Sequence, residues 1–400
     1  MAEKYDIHLG KAGILNKIAL REQGLIRNPI YKHDITNIKI NQLPKLSEHM
    51  SFRDNLFYCQ SFRTGPEGCV IGVWQFCRGS HSRTRHYSSI YVIEFVYSTA
   101  CTVYPNNPLP FVSQLQMKCS LRENMMVTDT FDVQYRGKTP LLFVGNYYRG
   151  GSAAMLTFFN CEGDEYHDLE WRISSYILCC SSNNHSGRFA VGCEGGYHLG
   201  ADYRLSKKYH LPDNVLALEF NDDGNLLFVS SDEQGIEICD IRDVPRKCPS
   251  RIRRSSTAFD KEPALRDSSL IVNKMKLLSD QVTLIATDIE GDMSMLDLRM
   301  RRPVLTYPEH VGFKYPRPLC LDESLDLLCA AGKDNYTRIW SLSSGHLHWA
   351  DKIYGQIPPP EDPQETITHC CIIPSPRRWF IAVIENQTVI PIVPDADNII

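Results

Sequence analysis

Val215-Leu216-Ala217-Leu218-Glu219-Phe220, then Asn221-Asp222-Asp223-Gly224-Asn225, then Leu226-Leu227-Phe228-Val229-Ser230 is the stretch that decides the fold. An apolar run, a short polar turn containing glycine and a second apolar run read as two antiparallel strands. Ser231 to Gly235 is another turn, and Ile236 to Ile241 a third strand. The unit recurs as Val272–Leu278, Thr283–Thr287, Asp288–Gly291 and Asp292–Leu298. It recurs again as Leu319–Leu321, Leu327–Ala331, Gly332–Asn335 and Tyr336–Leu342.

Three strands and two tight turns, repeated roughly every 40 to 60 residues, mark the blades of a β-propeller. Fainter copies lie upstream: Leu141–Gly145 with Ala153–Phe159, and Tyr176–Cys180 with Phe189–Gly192 and Tyr197–Tyr203. Apolar runs at Asn55–Gln60, Val70–Phe76, Ile90–Val96 and Phe111–Met117 fit further blades, and Thr366 to Val393 a last one. The reading is an all-β WD-repeat propeller over residues 46–400, with seven blades expected and eight allowed. A blade buries its faces only against its neighbours, so the ring must close. Thr388–Val393, or a strand near residue 50, would complete a shared blade.

Residues 1–45 have another texture. Ile14, Leu15, Ile18, Ala19 and Leu25 fall at helical spacing among Lys17, Arg21, Glu22 and Gln23, with Gly24 as a stop. This predicts an amphipathic helix over 12–24 on an N-terminal arm. So short a helix needs a surface on which to bury its face.

Composition narrows the function. The chain has 400 residues, 43% hydrophobic and 22% charged, with net charge −4. That balance is ordinary for a globular protein and points to neither a nucleic acid nor a membrane as partner. The start, MAEKYDIHLG, lacks the basic and apolar runs of a secretory leader. The apolar stretch Ile90 to Tyr104 carries Glu94 and is too short for a membrane helix. Fifteen cysteines without such a leader read as reduced and mostly buried, which suggests a place inside the cell, nuclear or cytoplasmic.

An Asp-x-Arg triplet closes the third strand twice, as Cys239-Asp240-Ile241-Arg242 and Leu296-Asp297-Leu298-Arg299. Ala201-Asp202-Tyr203-Arg204 is a weaker copy. In a propeller this position lies on one rim of the disc. An arginine there offers fixed N–H donors to carboxylates and carbonyls of a partner. The plainer reading is an aspartate that holds the turn and a solvated charge.

Asp334 lies six residues before Trp340 and His310 thirty before it. The three read as a partial hydrogen-bonded brace of a WD repeat, with Cys329 or Ala330 where a hydroxyl residue is usual. Adjacent cysteines Cys179-Cys180 and Cys370-Cys371 would point to opposite faces of a strand and make a poor chelate. No metal site or cofactor is expected, and no catalytic motif of the hydrolase, zinc-protease or phosphate-loop kind is present. The insertion from Pro245 to Thr257 is basic and polar and reads as a surface loop. It offers Ser255 or Ser256 to a basic-directed kinase, or it is simply solvated.

Ala286-Thr287-Asp288-Ile289-Glu290-Gly291, the Asp297-Leu298-Arg299 box, Tyr307-Pro308-Glu309-His310, Asp334 to Leu342, and Ile357-Pro358-Pro359-Pro360 follow one another in order. In this series the chain resembles the WD-repeat substrate receptors of the damaged-DNA-binding-protein- and cullin-4-associated factor family, its fourth-member branch in particular. The likeness covers about residues 215–395, and Tyr336-Thr337-Arg338-Ile339-Trp340-Ser341-Leu342 is its most specific part. Cys239 and Leu296 stand where the family's box most often has tryptophan.

The resemblance implies a non-enzymatic subunit that docks the ligase adaptor and presents an unknown substrate protein. It makes Arg242 and Arg299 adaptor-facing, beside Asp240 and Asp297. It makes the helix bearing Ile14, Leu15 and Ile18 a docking element. The alternatives are a general interaction scaffold with no ligase link, and an enzyme using the central channel, for which converging His, Asp or Glu on the innermost strands would be needed.

Overall fold

The computed structural model describes strands between Lys39 and Val393 and most of the turns joining them from residue 168 to residue 352. Residues 1–38, 243–270 and 353–367 are among those outside the description, so Ile14, Leu15, Ile18, Ser255 and Ser256 lie there.

The described strands form seven antiparallel sheets, each a blade. Blade 1 holds β2 (Phe57–Thr64), β3 (Val70–Arg78), β4 (Arg85–Tyr97) and β5 (Pro110–Ser120); blade 2 holds β6 (Met125–Asp132), β7 (Leu141–Tyr147), β8 (Ser152–Thr157) and β9 (Asp168–Ile173). Blade 3 holds β10 (Ile177–Asn183), β11 (Arg188–Cys193), β12 (Gly196–Ala201) and the short β13 (Arg204–Leu205) and β14 (Tyr209–His210). Blade 4 holds β15 (Val215–Phe220), β16 (Leu226–Ser231) and β17 (Gly235–Asp240) among the described residues. Blade 5 holds β18 (Val272–Leu277), β19 (Thr283–Asp288), β20 (Met293–Asp297) and β21 (Arg302–Tyr307); blade 6 holds β22 (Leu319–Asp322), β23 (Leu327–Ala331), β24 (Tyr336–Ser341) and β25 (Leu347–Lys352).

Blade 7 is the shared one. β26 (Thr368–Ile373), β27 (Phe380–Glu385) and β28 (Thr388–Val393) are joined at their outer edge by β1 (Lys39–Ile40), where Lys39 pairs with Val393 and Ile40 with Ile392. The closing strand therefore comes from before residue 45. First strands of successive blades pack side by side, and β26 meets β2, so the ring is complete. The expected seven-bladed propeller is the observed one.

Period-two alternation builds the core, because neighbours on a strand point to opposite faces. On β11, Phe189, Val191 and Cys193 pack toward blade 2 while Ala190 packs toward blade 4. On β23, Leu328 and Ala330 face blade 5 while Leu327 and Cys329 face blade 7. Cys179 and Cys180 separate in the same way. Burial pushes the Cys193 and Cys320 thiols up to about 12.

Outer strands β9, β21 and β25, and the first strand of blade 2, β6, have no counterpart in the sequence reading. β21 opens with Arg302-Pro303 and leaves most of its residues exposed, so it lacks the apolar run that marks a strand. No helix among the described residues is long and apolar enough to cross a membrane.

Candidate functional site: a rim bearing two arginine clamps

The third strands of blades 4, 5 and 6 end alike. Ile241 N donates to the Asn225 carbonyl, Leu298 N to the Val282 carbonyl and Leu342 N to the Asp326 carbonyl, each at 2.9 Å. Each acceptor belongs to the turn between the first and second strands of its own blade. Arg242 and Arg299 therefore stand on one face of the disc. That face is stitched from blade to blade. Asn183 Nδ2 donates to the Asn221 carbonyl at 2.7 Å, Asp222 N to Gln281 Oε1 at 2.8 Å and Ser279 N to Glu323 Oε1 at 2.8 Å.

Each arginine is held by the aspartate two residues before it. Asp240 Oδ1 accepts Arg242 N at 3.0 Å and Arg242 Nε at 2.9 Å, and its Oδ2 accepts Arg242 Nη2 at 2.5 Å. Asp297 Oδ1 accepts Arg299 N at 2.8 Å and Arg299 Nε at 3.3 Å, and its Oδ2 accepts Arg299 Nη2 at 2.9 Å. The guanidinium groups nonetheless keep their outer edges in solvent, the arginine side chains being 61% and 64% exposed. Hydrogen bonds from Arg242 pull the Asp240 pKa down to about 2, and those from Arg299 lower that of Asp297. Both carboxylates are thus ionised at neutral pH. The clamp spares each arginine part of the entropy cost of ordering a long side chain when a partner docks.

In the third box, Arg204 is exposed at the start of β13, and Asp202 lies outside the described residues. Cys239 and Leu296 are half-buried against the cores between blades 3 and 4 and between blades 4 and 5, where they take the sealing place of the usual tryptophan.

The brace residues do gather, though their hydrogen bonds run differently from the expected chain. Trp340 is fully buried and donates Nε1–H to the Pro308 carbonyl at 3.1 Å. The His310 ring lies edge-on to Trp340 at 6.2 Å, and its Nδ1 meets the Gly291 carbonyl at 2.8 Å. Asp334 binds Arg338 through both carboxylate oxygens and accepts the Tyr336 N–H at 3.3 Å. The missing hydroxyl on β23 explains the change: with Cys329 and Ala330 there, the buried guanidinium of Arg338 takes the carboxylate.

The channel carries charges that sequence reading could not place. Lys274 on β18 reaches across the ring to Asp129 on β6, with Nζ 3.3 Å from Oδ2. Lys276 on the same strand pairs with Glu219 on β15 at 2.6 Å, and the Glu219 charge raises the lysine's pKa. These acids are neutralised by lysines. Among the described residues no group of three or more His, Cys, Asp or Glu is arranged to hold a metal.

Residues 200–365 match the family model of the DDB1- and CUL4-associated factor 4 beta-propeller domain. The chain is 26% identical over 206 residues to DDB1- and CUL4-associated factor 4 of Bos taurus, covering 52% of this chain and 38% of that protein. It is 37% identical over 76 residues to DDB1- and CUL4-associated factor 4-like protein 2 of Homo sapiens, 19% of each chain. It is 38% identical over 76 residues to DDB1- and CUL4-associated factor 4 of Homo sapiens, 19% of this chain and 15% of that one. The chain thus spans well under two thirds of the length of these relatives. The resemblance read from the residues holds: this is a propeller similar to that of DDB1- and CUL4-associated factor 4, and the matched stretch contains both arginine clamps.

Proposed function

We propose that the chain is a non-enzymatic substrate-receptor subunit of a cullin-4 ubiquitin ligase. It docks DDB1 through the rim of Arg242 and Arg299, and presents a target protein on the other face of the disc. One observation carries the reading. The stretch similar to DDB1- and CUL4-associated factor 4 holds two exposed arginines, clamped in the same way, on one stitched rim. Asp240 and Asp297 hold the guanidinium groups, whose solvent-facing edges suit carboxylates or carbonyls of the adaptor. Ile14, Leu15 and Ile18 enter the same reading as the apolar face of a docking helix. The complex would work inside the cell, in nucleus or cytoplasm.

Affinity purification of the full chain followed by mass spectrometry tests this. Wild type should recover DDB1 and CUL4. Arg242→Ala/Arg299→Ala should lose them while still folding, with a modest drop in unfolding temperature from the Asp297 carboxylate left without its arginine. Absence of DDB1 from the wild-type eluate would favour a general scaffold.

A further inference from the structure

The same turn is built in blades 5 and 6 with different side chains. Leu298 N and Leu342 N make equivalent backbone hydrogen bonds. In each blade the outer strand carries one extra residue. Met295 pairs with Leu305 and Leu296 with Pro303, which leaves Val304 over; Ile339 pairs with Trp349 and Trp340 with Leu347, which leaves His348 over. A bulge of this kind re-aims the side chain of the extra residue.

Blade 6 fills its turn with Ser341, Ser343 and Ser344 and draws a carboxylate from the opposite turn. Asp326 Oδ1 accepts Ser343 N at 2.8 Å, and Asp326 Oδ2 accepts Ser341 Oγ at 2.7 Å. Blade 5 has Asp297, Arg299 and Met300 at those places and Val304 at the bulge. The backbone can therefore make this turn without an arginine, a methionine or a valine. Yet Met300 is 50% exposed and Val304 37%, and exposed Arg299 and Arg302 flank them. Single apolar residues in water are ordinary; here two of them belong to one hairpin with exposed Arg299 and Arg302, a composition that interfaces favour.

We propose that Met300 and Val304 are the apolar part of the docking surface whose charged part is Arg242, Arg299 and Arg302, and that its occupant is DDB1. The surface fits a partner that offers carboxylates or carbonyls next to an apolar area. This rests on the reading above, in which the same rim docks the adaptor.

The test is binding of the full chain to purified DDB1 by biolayer interferometry, with thermal unfolding of every variant alongside. Met300→Ser/Val304→Ser should weaken binding about tenfold. Val311→Ser, an equally exposed valine in the loop between blades 5 and 6 on the opposite face, should leave it unchanged. Both serine variants should unfold at the wild-type temperature. Unchanged affinity for Met300→Ser/Val304→Ser, with binding lost in Arg242→Ala/Arg299→Ala, would overturn the apolar surface and leave the arginine reading standing. Unchanged affinity for the arginine variant would overturn that reading and this one with it.

Discussion

Asp297 and Arg299 form a two-pronged ion pair in which the carboxylate is buried and the guanidinium is not: the aspartate side chain is 2% exposed and the arginine side chain 64%. Asp297 also accepts the backbone N–H groups of Arg299 and Met300. The carboxylate is therefore part of the turn as well as the arginine's anchor.

A pH dependence follows. Hydrogen bonding from Arg299 holds the Asp297 pKa below its ordinary value of about 3.9. A carboxylate depressed in the folded state adds stability above its unfolded pKa and loses it as pH falls through the folded one. Asp297→Asn should cost roughly 1–2 kcal/mol at neutral pH. The gap between wild type and variant should shrink below about pH 4, as read by urea unfolding across pH.

Trp340 is the largest fully buried side chain among the described residues, and Tyr307 stands edge-on to it at 6.3 Å. Trp340→Ala should cost about 3–5 kcal/mol through the cavity it leaves and the unpaired Pro308 carbonyl. Chemical denaturation with far-ultraviolet dichroism checks this. A loss under about 1 kcal/mol, the size of an ordinary substitution, would show that the blade 5–6 core does not depend on it.

Gly291 has φ +111°, and a Cβ there would meet the Gly312 nitrogen at 2.0 Å. Both the backbone conformation and the close approach of the neighbouring loop exclude a side chain. Gly291→Ala should destabilise by about 1–3 kcal/mol and disturb the carbonyl that His310 uses. Gly151, with positive φ but open space around its would-be Cβ, should be milder when replaced by Asn. Thermal unfolding of the two variants ranks them.

Glu219 is nearly buried and Lys276 half-exposed. Their coupling in a double-mutant cycle (Glu219→Gln, Lys276→Met) should be about 1 kcal/mol, limited by the water on the lysine side. Coupling near zero would mean that the channel pair adds nothing to closure between blades 4 and 5.

Much of this is legible in the sequence because most inner strands are buried on both faces and advertise themselves, although β6, MMVTDTFD, is too polar to do so. Val215–Phe220, Leu226–Ser231 and Thr283–Asp288 lie within a residue of where their apolar runs put them. Outer strands are less legible: Phe111–Met117 betrays β5, but β21 leaves most of its residues exposed around Pro303, and β25, though Leu347 and Trp349 pack on its two faces, has its alternation broken by the extra residue His348. Position 340 marks its blade at once, since only a large side chain fills that core. The Arg338–Asp334 pair is hidden: a strand arginine normally signals solvent, and only the missing hydroxyl at Cys329 or Ala330 hints that a new donor is needed. Asp129 and Lys274 are 145 residues apart, and nothing local ties them together. The arginine clamps are visible as a repeated triplet, but the bulge that leaves Val304 over is revealed by no local pattern.

The most direct measurement is the dissociation constant of the full chain for purified DDB1, by calorimetry at low and high salt, for wild type and for Arg242→Ala/Arg299→Ala. The wild type should bind, more weakly as salt rises, and the double variant should bind at least about thirtyfold more weakly while remaining folded at the temperature of the measurement. Equal affinity of the two proteins would contradict the assignment of this rim to the adaptor.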